Sequence, residues 1–84
     1  MPVTVTILLF ARPKEIVGSP SITVSVDERD ATVRTLKLEL ARLYPDLGSL
    51  LGTCHVSVNE TLVDDDCQVT ASDEVALIPP VSGG

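Results

Sequence analysis

Residues 32–45 read T-V-R-T-L-K-L-E-L-A-R-L-Y-P and contain the clearest helix signal in the chain. Thr32 is suited to cap the start of this helix, and Pro45 stops it. Between them, apolar residues recur every three or four positions, at Val33, Leu36, Leu40 and Leu43. A helix with one aliphatic face has to cover one face of a sheet, so the flanking residues are expected to form strands.

Two strands are predicted before this helix. Val3–Phe10 and Ser21–Val26 both show the period of two that is typical of a strand. The face of the first strand that would meet the helix consists of Val3, Val5, Ile7 and Leu9. Its opposite face starts polar and ends apolar, in the order Thr4, Thr6, Leu8, Phe10. Between the strands, residues 13–17 are expected to form a short helical turn closed by Gly18.

Three more strands are predicted after the helix. His55–Val58 and Thr61–Val63 flank Asn59-Glu60, and Glu74–Pro79 is the last strand, whereas Asp46–Thr53 is expected to be a loop. Because a long helical crossover can join parallel strands, this order predicts an α+β fold of the ubiquitin-like β-grasp class. It would have a mixed sheet of about five strands with one main helix packed on one face. The domain would span residues 1–80, and a flexible Gly-Gly tail residues 81–84.

The composition narrows the classes of function. The 84 residues fit one domain, and the formal net charge is −6. With only 6 Lys and Arg, nucleic-acid binding is excluded, because it needs phosphate neutralisation. No signal-peptide pattern and no apolar run of roughly 20 residues is present, so we expect a cytoplasmic protein without membrane contact. An acidic surface suits a partner with a basic docking face, although solubility alone would also explain it.

Few side chains indicate catalysis or metal binding. His55 is the single histidine, and there is no glycine-rich phosphate loop. Cys54 and Cys67 do not form a C-x-x-C pair and are expected to be reduced thiols. The acidic run at residues 64–66 could bind Mg²⁺, but a solvated turn is the more common role of such a run. We therefore expect no metal site and no catalysis by this chain alone.

The segment Pro79-Pro80-Val81-Ser82-Gly83-Gly84 is the strongest candidate for a reactive site. Its prolines stiffen the base, and Gly83 and Gly84 lack a Cβ, so the backbone could enter a channel too narrow for side chains. The carboxylate of Gly84 would become reactive once ATP converts it into an acyl-adenylate. A sulfur donor could then displace AMP and leave a thiocarboxylate. The alternative is a disordered terminus, since chain ends are often glycine-rich and mobile.

Three parts of the chain resemble the small subunits of molybdopterin synthase, a family of sulfur carriers in molybdenum cofactor biosynthesis. They are the opening block, made of residues 9–12 and 14–18, the central hairpin 58–63 and, most specifically, the closing block 73–84. Two places depart from the family pattern. Ala71-Ser72 stand where the family usually has Asp-Gly, and Cys67 stands where it commonly has Thr. Both concern the geometry of the loop before the last strand more than the chemistry.

The resemblance implies a sulfur-donating subunit that is not an enzyme by itself and binds no permanent cofactor. It would form a heterotetramer with a large subunit. Its other partners would be a sulfur donor protein and an ATP-using activating enzyme related to those that activate ubiquitin. Gly84 would pass through an acyl-AMP and a thiocarboxylate, and a cyclic pyranopterin monophosphate would receive the sulfur to form its dithiolene. Two alternatives stay open: a carrier for thiamine, cysteine or tRNA thiolation, and a protein modifier conjugated through Gly84.

A docking surface is predicted at the root of the tail. The first and last strands of such a sheet run parallel and side by side, so their C-terminal ends meet where the tail leaves. Leu8, Phe10 and Ile78 would form an exposed apolar patch there, unless a loop covers it. The large subunit and the activating enzyme would share this patch. The remaining partner-contacting residues are Arg12 and Lys14 at its rim and Pro80, Val81 and Ser82 in the tail.

Overall fold

The computed structural model describes residues 1–80. Five strands and three α-helices are present there: β1 (Pro2–Leu9), α1 (Ala11–Val17), β2 (Ser21–Asp27), α2 (Val33–Leu43), α3 (Gly48–Leu51), β3 (His55–Val58), β4 (Thr61–Val63) and β5 (Val75–Ile78). The five predicted strands are confirmed, and their ends shift by at most one residue. The predictions for Val81, Ser82, Gly83 and Gly84 concern residues outside the described range.

The strands form one mixed sheet in the order β2-β1-β5-β3-β4. β1 is antiparallel to β2 and parallel to β5, and β3 lies antiparallel between β5 and β4. This is the predicted β-grasp arrangement, in which the first and last strands are parallel neighbours. Because Leu9 pairs with Leu77, both strands end at the same edge of the sheet, and Pro79 follows there.

One face of the sheet is covered by α2. The side chain of Thr32 accepts a hydrogen bond from the N–H of Thr35, which confirms the predicted cap. Two residues predicted to face inward are less buried than expected: Val3 is half-buried and Leu43 is 43% exposed. Each lies at an end of its element, where the facing layer no longer covers it fully. The core cluster includes the other predicted residues, namely Val5, Ile7, Leu9, Val33, Leu36 and Leu40.

The segment after α2 is more regular than the sequence indicates. The predicted loop at Asp46–Thr53 is wrong, because a 3-10 turn at Pro45–Leu47 leads directly into α3. Leu47 and Leu51 are 0% and 5% exposed and belong to the core cluster. In the sequence, Gly48 and Gly52 are loop signals that outweigh the helical spacing of these two leucines.

The turn before β5 closes without a glycine. The N–H of Asp73 donates to the carbonyl of Thr70 at 3.1 Å, and the N–H of Thr70 donates to the Asp73 carboxylate at 2.7 Å. The second of these bonds, together with one from the side chain of Asn59, lowers the pKa of Asp73. Within residues 1–80, neither Ala71 nor Ser72 has a positive φ. The unusual Ala71-Ser72 pair is therefore compatible with a hydrogen-bonded turn.

The β3–β4 hairpin holds a side chain in a backbone conformation that favours glycine. Asn59 and Glu60 have φ angles of 53° and 70°, as in the two-residue turn for which Asn-Gly is preferred. We expect Glu60→Gly to raise the free energy of unfolding by about 0.5–1 kcal/mol, because glycine removes the clash of the Cβ. Glu60→Ala keeps the Cβ and is the control. Urea unfolding would contradict the expectation if the glycine variant were no more stable than the alanine variant.

Candidate functional site

The face of the sheet opposite α2 brings residues from four strands together. Leu8 of β1 pairs with Ala76 of β5, and Ala76 also pairs with Ser57 of β3. His55 pairs with Ile78, and Ser57 pairs with Leu62 of β4. Paired residues on neighbouring strands point to the same side of a sheet. These six side chains therefore share the open face.

The open face is divided into a polar half and an apolar half. On the β2 side, Thr4 pairs with Ser25 and Thr6 with Thr23, and the hydroxyls of Thr4 and Ser25 lie 3.3 Å apart. On the β5 side, the residues are mostly apolar. The change occurs along β1 itself, where Thr4 and Thr6 precede Leu8, as the sequence predicts.

A depression of about 690 Å³ lies over the apolar half, and we call it the open-face groove. The three predicted patch residues, Leu8, Phe10 and Ile78, all line it. Phe10 is 49% exposed and Leu62, at the far side, is 62% exposed. Over the described residues the groove is therefore open to solvent, and this arrangement disfavours the alternative in which a loop covers it.

The root of the tail forms one end of the groove. Pro79 and Pro80 follow β5 directly and line the groove together with Phe10. Phe10 is placed there by the chain reversal after β1, since Ala11 adopts a φ of 53° and α1 begins at that residue. A partner that occupies the groove would consequently lie beside the start of the segment 81–84.

The two predicted rim residues lie outside the groove lining. Arg12 and Lys14 are exposed residues of α1, but neither contributes to the groove. Lys14 lines a separate depression with Glu15 and Ser19. Because α1 turns away after Phe10, contact of Arg12 or Lys14 with a partner in the groove stays a prediction.

Several residues of the groove are absent from the sequence prediction. The short strands β3 and β4 show no register by themselves, so their open-face side chains could be assigned only once the pairing with β5 was known. The alternation of β5 placed Ala76 and Ile78 on one face, which was the one available signal. The additional lining residues are His55, Ser57, Glu60, Leu62, Glu74 and Ala76.

The acidic run at residues 64–66 forms a largely exposed turn, in agreement with the prediction, and it also pairs with α2. Lys37 donates to Asp65 at 2.9 Å, and Arg34 donates to Asp66 at 2.6 Å. The N–H of Arg34 also donates to the carbonyl of Asp65 at 2.9 Å. Residues 1–80 contain no group of three or more His, Cys, Asp or Glu that could hold a metal ion. The run thus attaches the loop after β4 to the helix layer.

The cysteines lie away from the groove. Cys54 is 5% exposed, and burial raises the pKa of its thiol, which keeps it protonated. The thiol of Cys67 donates to the carbonyl of Gln68 at 3.4 Å. Neither cysteine lines the open-face groove or the root of the tail.

We expect the double variant Cys54→Ser/Cys67→Ser to retain sulfur transfer. A loss of stability of about 1–2 kcal/mol is expected from the buried hydroxyl at position 54. Single-turnover transfer by the folded variant, compared with the wild type, measures this directly. Cys67→Ser alone is the control for the half-buried site. Complete loss of transfer by a folded double variant would indicate a persulfide on the chain instead.

Comparison with known proteins places this geometry in a family. A family model described as the ThiS family matches residues 7–84. The chain belongs to the ThiS family. A Dictyostelium discoideum relative named molybdopterin synthase sulfur carrier subunit is 39% identical over 93% of both chains. The Escherichia coli protein of the same name is 37% identical over 95% of this chain and 99% of its own. The resemblance to molybdopterin synthase small subunits is thereby confirmed.

Solved structures confirm the β-grasp fold of this ThiS-family chain. The crystal structure of SAMP1 from Haloferax volcanii matches with a TM-score of 0.84 and 34% identity, over 96% of this chain and 99% of that one. A second structure from that organism, described as small archaeal modifier protein 1, matches with the same TM-score and 31% identity, over 94% and 99% of the two chains. Within residues 1–80, none of the helices has the length and hydropathy of a membrane span.

Proposed function

We propose that this chain is the sulfur-carrier subunit of a molybdopterin synthase. The observation that supports it most is the match to proteins of that name over more than nine-tenths of this chain. The geometry agrees with a carrier, because the open-face groove adjoins the root of the segment that ends in Gly83-Gly84. The described residues offer a docking surface beside that segment.

The chemistry would take place on the carboxylate of Gly84. In the active site of the activating enzyme, this carboxylate would attack the α-phosphate of ATP. The attack releases pyrophosphate and forms an acyl-AMP on Gly84. Hydrosulfide delivered by a sulfur donor protein would then attack the carbonyl carbon, release AMP and leave a thiocarboxylate on Gly84. The sulfur would pass to a cyclic pyranopterin monophosphate. A second copy of the carrier with its own thiocarboxylate would supply the other sulfur of the dithiolene. ATP is consumed by the enzyme, so the carrier needs no resident cofactor.

The open-face groove would bind the activating enzyme and the large subunit in turn. Leu8, Phe10 and Ile78 provide an apolar contact beside the root of the tail, and Pro79-Pro80 limit the directions in which the tail can leave. Val81 and Ser82 would then enter the active site of the large subunit or of the activating enzyme, followed by the two glycines. The large subunit would form a heterotetramer with this chain, in the cytoplasm.

A protein modifier is the second candidate. It is favoured by the similarity to the Haloferax volcanii small archaeal modifier protein 1. Activation through an acyl-adenylate on Gly84 would be common to both functions. They differ in the final acceptor, which is a small sulfur-accepting substrate for a carrier and a lysine of another protein for a modifier. A carrier for thiamine, cysteine or tRNA thiolation would differ only in the sulfur acceptor.

Intact mass spectrometry of the protein isolated from its own cells would test the proposal. A carrier is expected to show a fraction that is heavier by the difference between sulfur and oxygen and that disappears after incubation with the large subunit and pyranopterin substrate. Adducts on lysines of other proteins, without a free thiocarboxylate, would support the modifier instead.

A further inference from the structure

The geometry points to a polarised docking surface: the open-face groove fits a partner that pairs an apolar contact with a basic side chain placed against Glu60 and Glu74. This inference rests on the proposed docking role of the groove. It adds the chemistry of the partner surface and the direction in which that partner lies across the groove.

The two ends of the groove differ in charge. Phe10, Pro79 and Pro80 form the end at the tail root, whereas Glu60 and Glu74 line the opposite end. Glu74 precedes β5 and Ile78 ends it, so the two ends are about 13 Å apart along this strand. Between them lie Leu8, Leu62 and Ala76, which give the groove a mainly apolar floor. Its polar members are Ser57, which pairs with Ala76, and His55, which pairs with Ile78 at the tail-root end.

Three hydrogen bonds hold the turns that contain the two glutamates against each other. The N–H of Asn59 donates to the carbonyl of Glu74 at 2.8 Å, and the side-chain oxygen of Asn59 accepts from the N–H of Glu74 at 2.9 Å. The side-chain amide of Asn59 donates to Asp73 at 3.0 Å. The backbone of both turns is thus ordered before a partner binds, which lowers the entropy cost of association.

Neither carboxylate has a cationic neighbour in the described part of the chain. The ion pairs within residues 1–80 join other groups, and the groove lining contains no Lys or Arg. Two carboxylates beside an apolar floor suit a guanidinium or ammonium, which would be partly shielded from water there. A second copy of this chain, with its net charge of −6, is repelled instead.

The test compares two double variants that remove the same charge. Glu60→Gln/Glu74→Gln neutralises the groove, and Glu15→Gln/Asp46→Asn neutralises two exposed carboxylates elsewhere on the surface. The affinity of each for the large subunit from the same organism is measured by titration calorimetry at low and high salt. We expect the groove variant to bind about tenfold more weakly at low salt and to lose most of its salt dependence. The control should change less than about twofold.

Two further variants separate the possible outcomes. Glu60→Gly should bind more weakly although it unfolds at a higher urea concentration, so a loss of fold cannot explain the weaker binding. Equal affinities for the two double variants, while Phe10→Ala still weakens binding, would overturn the polarised surface and leave the docking role intact. If Phe10→Ala also left binding unchanged, the polarised surface and the docking role of the groove would both be wrong.

Discussion

Deletion of Gly84 is expected to reduce sulfur transfer to background while the domain remains folded. The proposed chemistry needs a carboxylate on a residue without a side chain at the end of the tail. Deletion places the carboxylate one residue closer to the domain, by about 3.5 Å of extended chain, so it would no longer reach the site of adenylation. Since misplacement of a reacting group by about 1 Å can reduce a rate a hundredfold, a shift of this size should be decisive.

The measurement is dithiolene formation with the large subunit, the activating enzyme, ATP and a sulfur source. Thermal unfolding followed by circular dichroism should be the same for the deleted and the complete chain, because the core cluster ends at Leu77. A tag added after Gly84 should have the same effect as deletion, since it converts the carboxylate into an amide.

A tag before Met1 is the matched control. Met1 is 82% exposed, precedes β1 at the end opposite the tail root and does not line the groove, so this tag should leave transfer unchanged. If a chain with an uncleaved tag after Gly84 still supported dithiolene formation, the proposed role of this residue would be wrong.

Much of the fold could be predicted from the sequence because the signals were local. The alternation in Val3–Phe10 and the apolar spacing of α2 each depend on neighbouring residues, and both are confirmed. The helix α3 could not be predicted, because its two glycines favour a loop and only the burial of Leu47 and Leu51 overrides that preference.

Some residues of the candidate site could be predicted from the sequence and others could not, for the same reason. Leu8, Phe10 and Ile78 could be placed together because the parallel pairing of β1 and β5 follows from the order of the elements. The placement of Leu62 in the groove depends on the register of β3 with its two neighbouring strands. Glu60 lies in a turn whose position relative to β5 is fixed by Asn59. Such long-range contacts leave no periodic signal in the sequence.

Ile78→Asp is expected to weaken binding of the large subunit by about 2–4 kcal/mol, or roughly 30- to 1,000-fold in Kd. Ile78 is half-buried in the groove beside the tail root, and a partner there would enclose its side chain. A carboxylate at this position would have to give up its water without gaining a cation.

The matched control is Thr23→Asp, which places the same side chain on the polar half of the same open face. Both substitutions put aspartate in a strand and should lower stability by about 1 kcal/mol or less. Thr23→Asp should change Kd by less than about threefold, because it lies outside the groove. Phe10→Ala should have an intermediate effect of roughly tenfold, through the loss of apolar contact.

The same variants should also weaken binding of the activating enzyme. Activation and sulfur transfer both require the tail to enter an active site, and the groove adjoins the root of that tail. One groove cannot hold two large proteins at once, so the complexes are expected to exclude each other. In a competition experiment, excess large subunit should displace labelled carrier from the activating enzyme, and the Thr23→Asp carrier should be displaced equally well.

A stable ternary complex, or loss of only one of the two affinities in Ile78→Asp, would show that the partners use different surfaces. In that case the groove would determine one step of the cycle and leave the other to the tail alone.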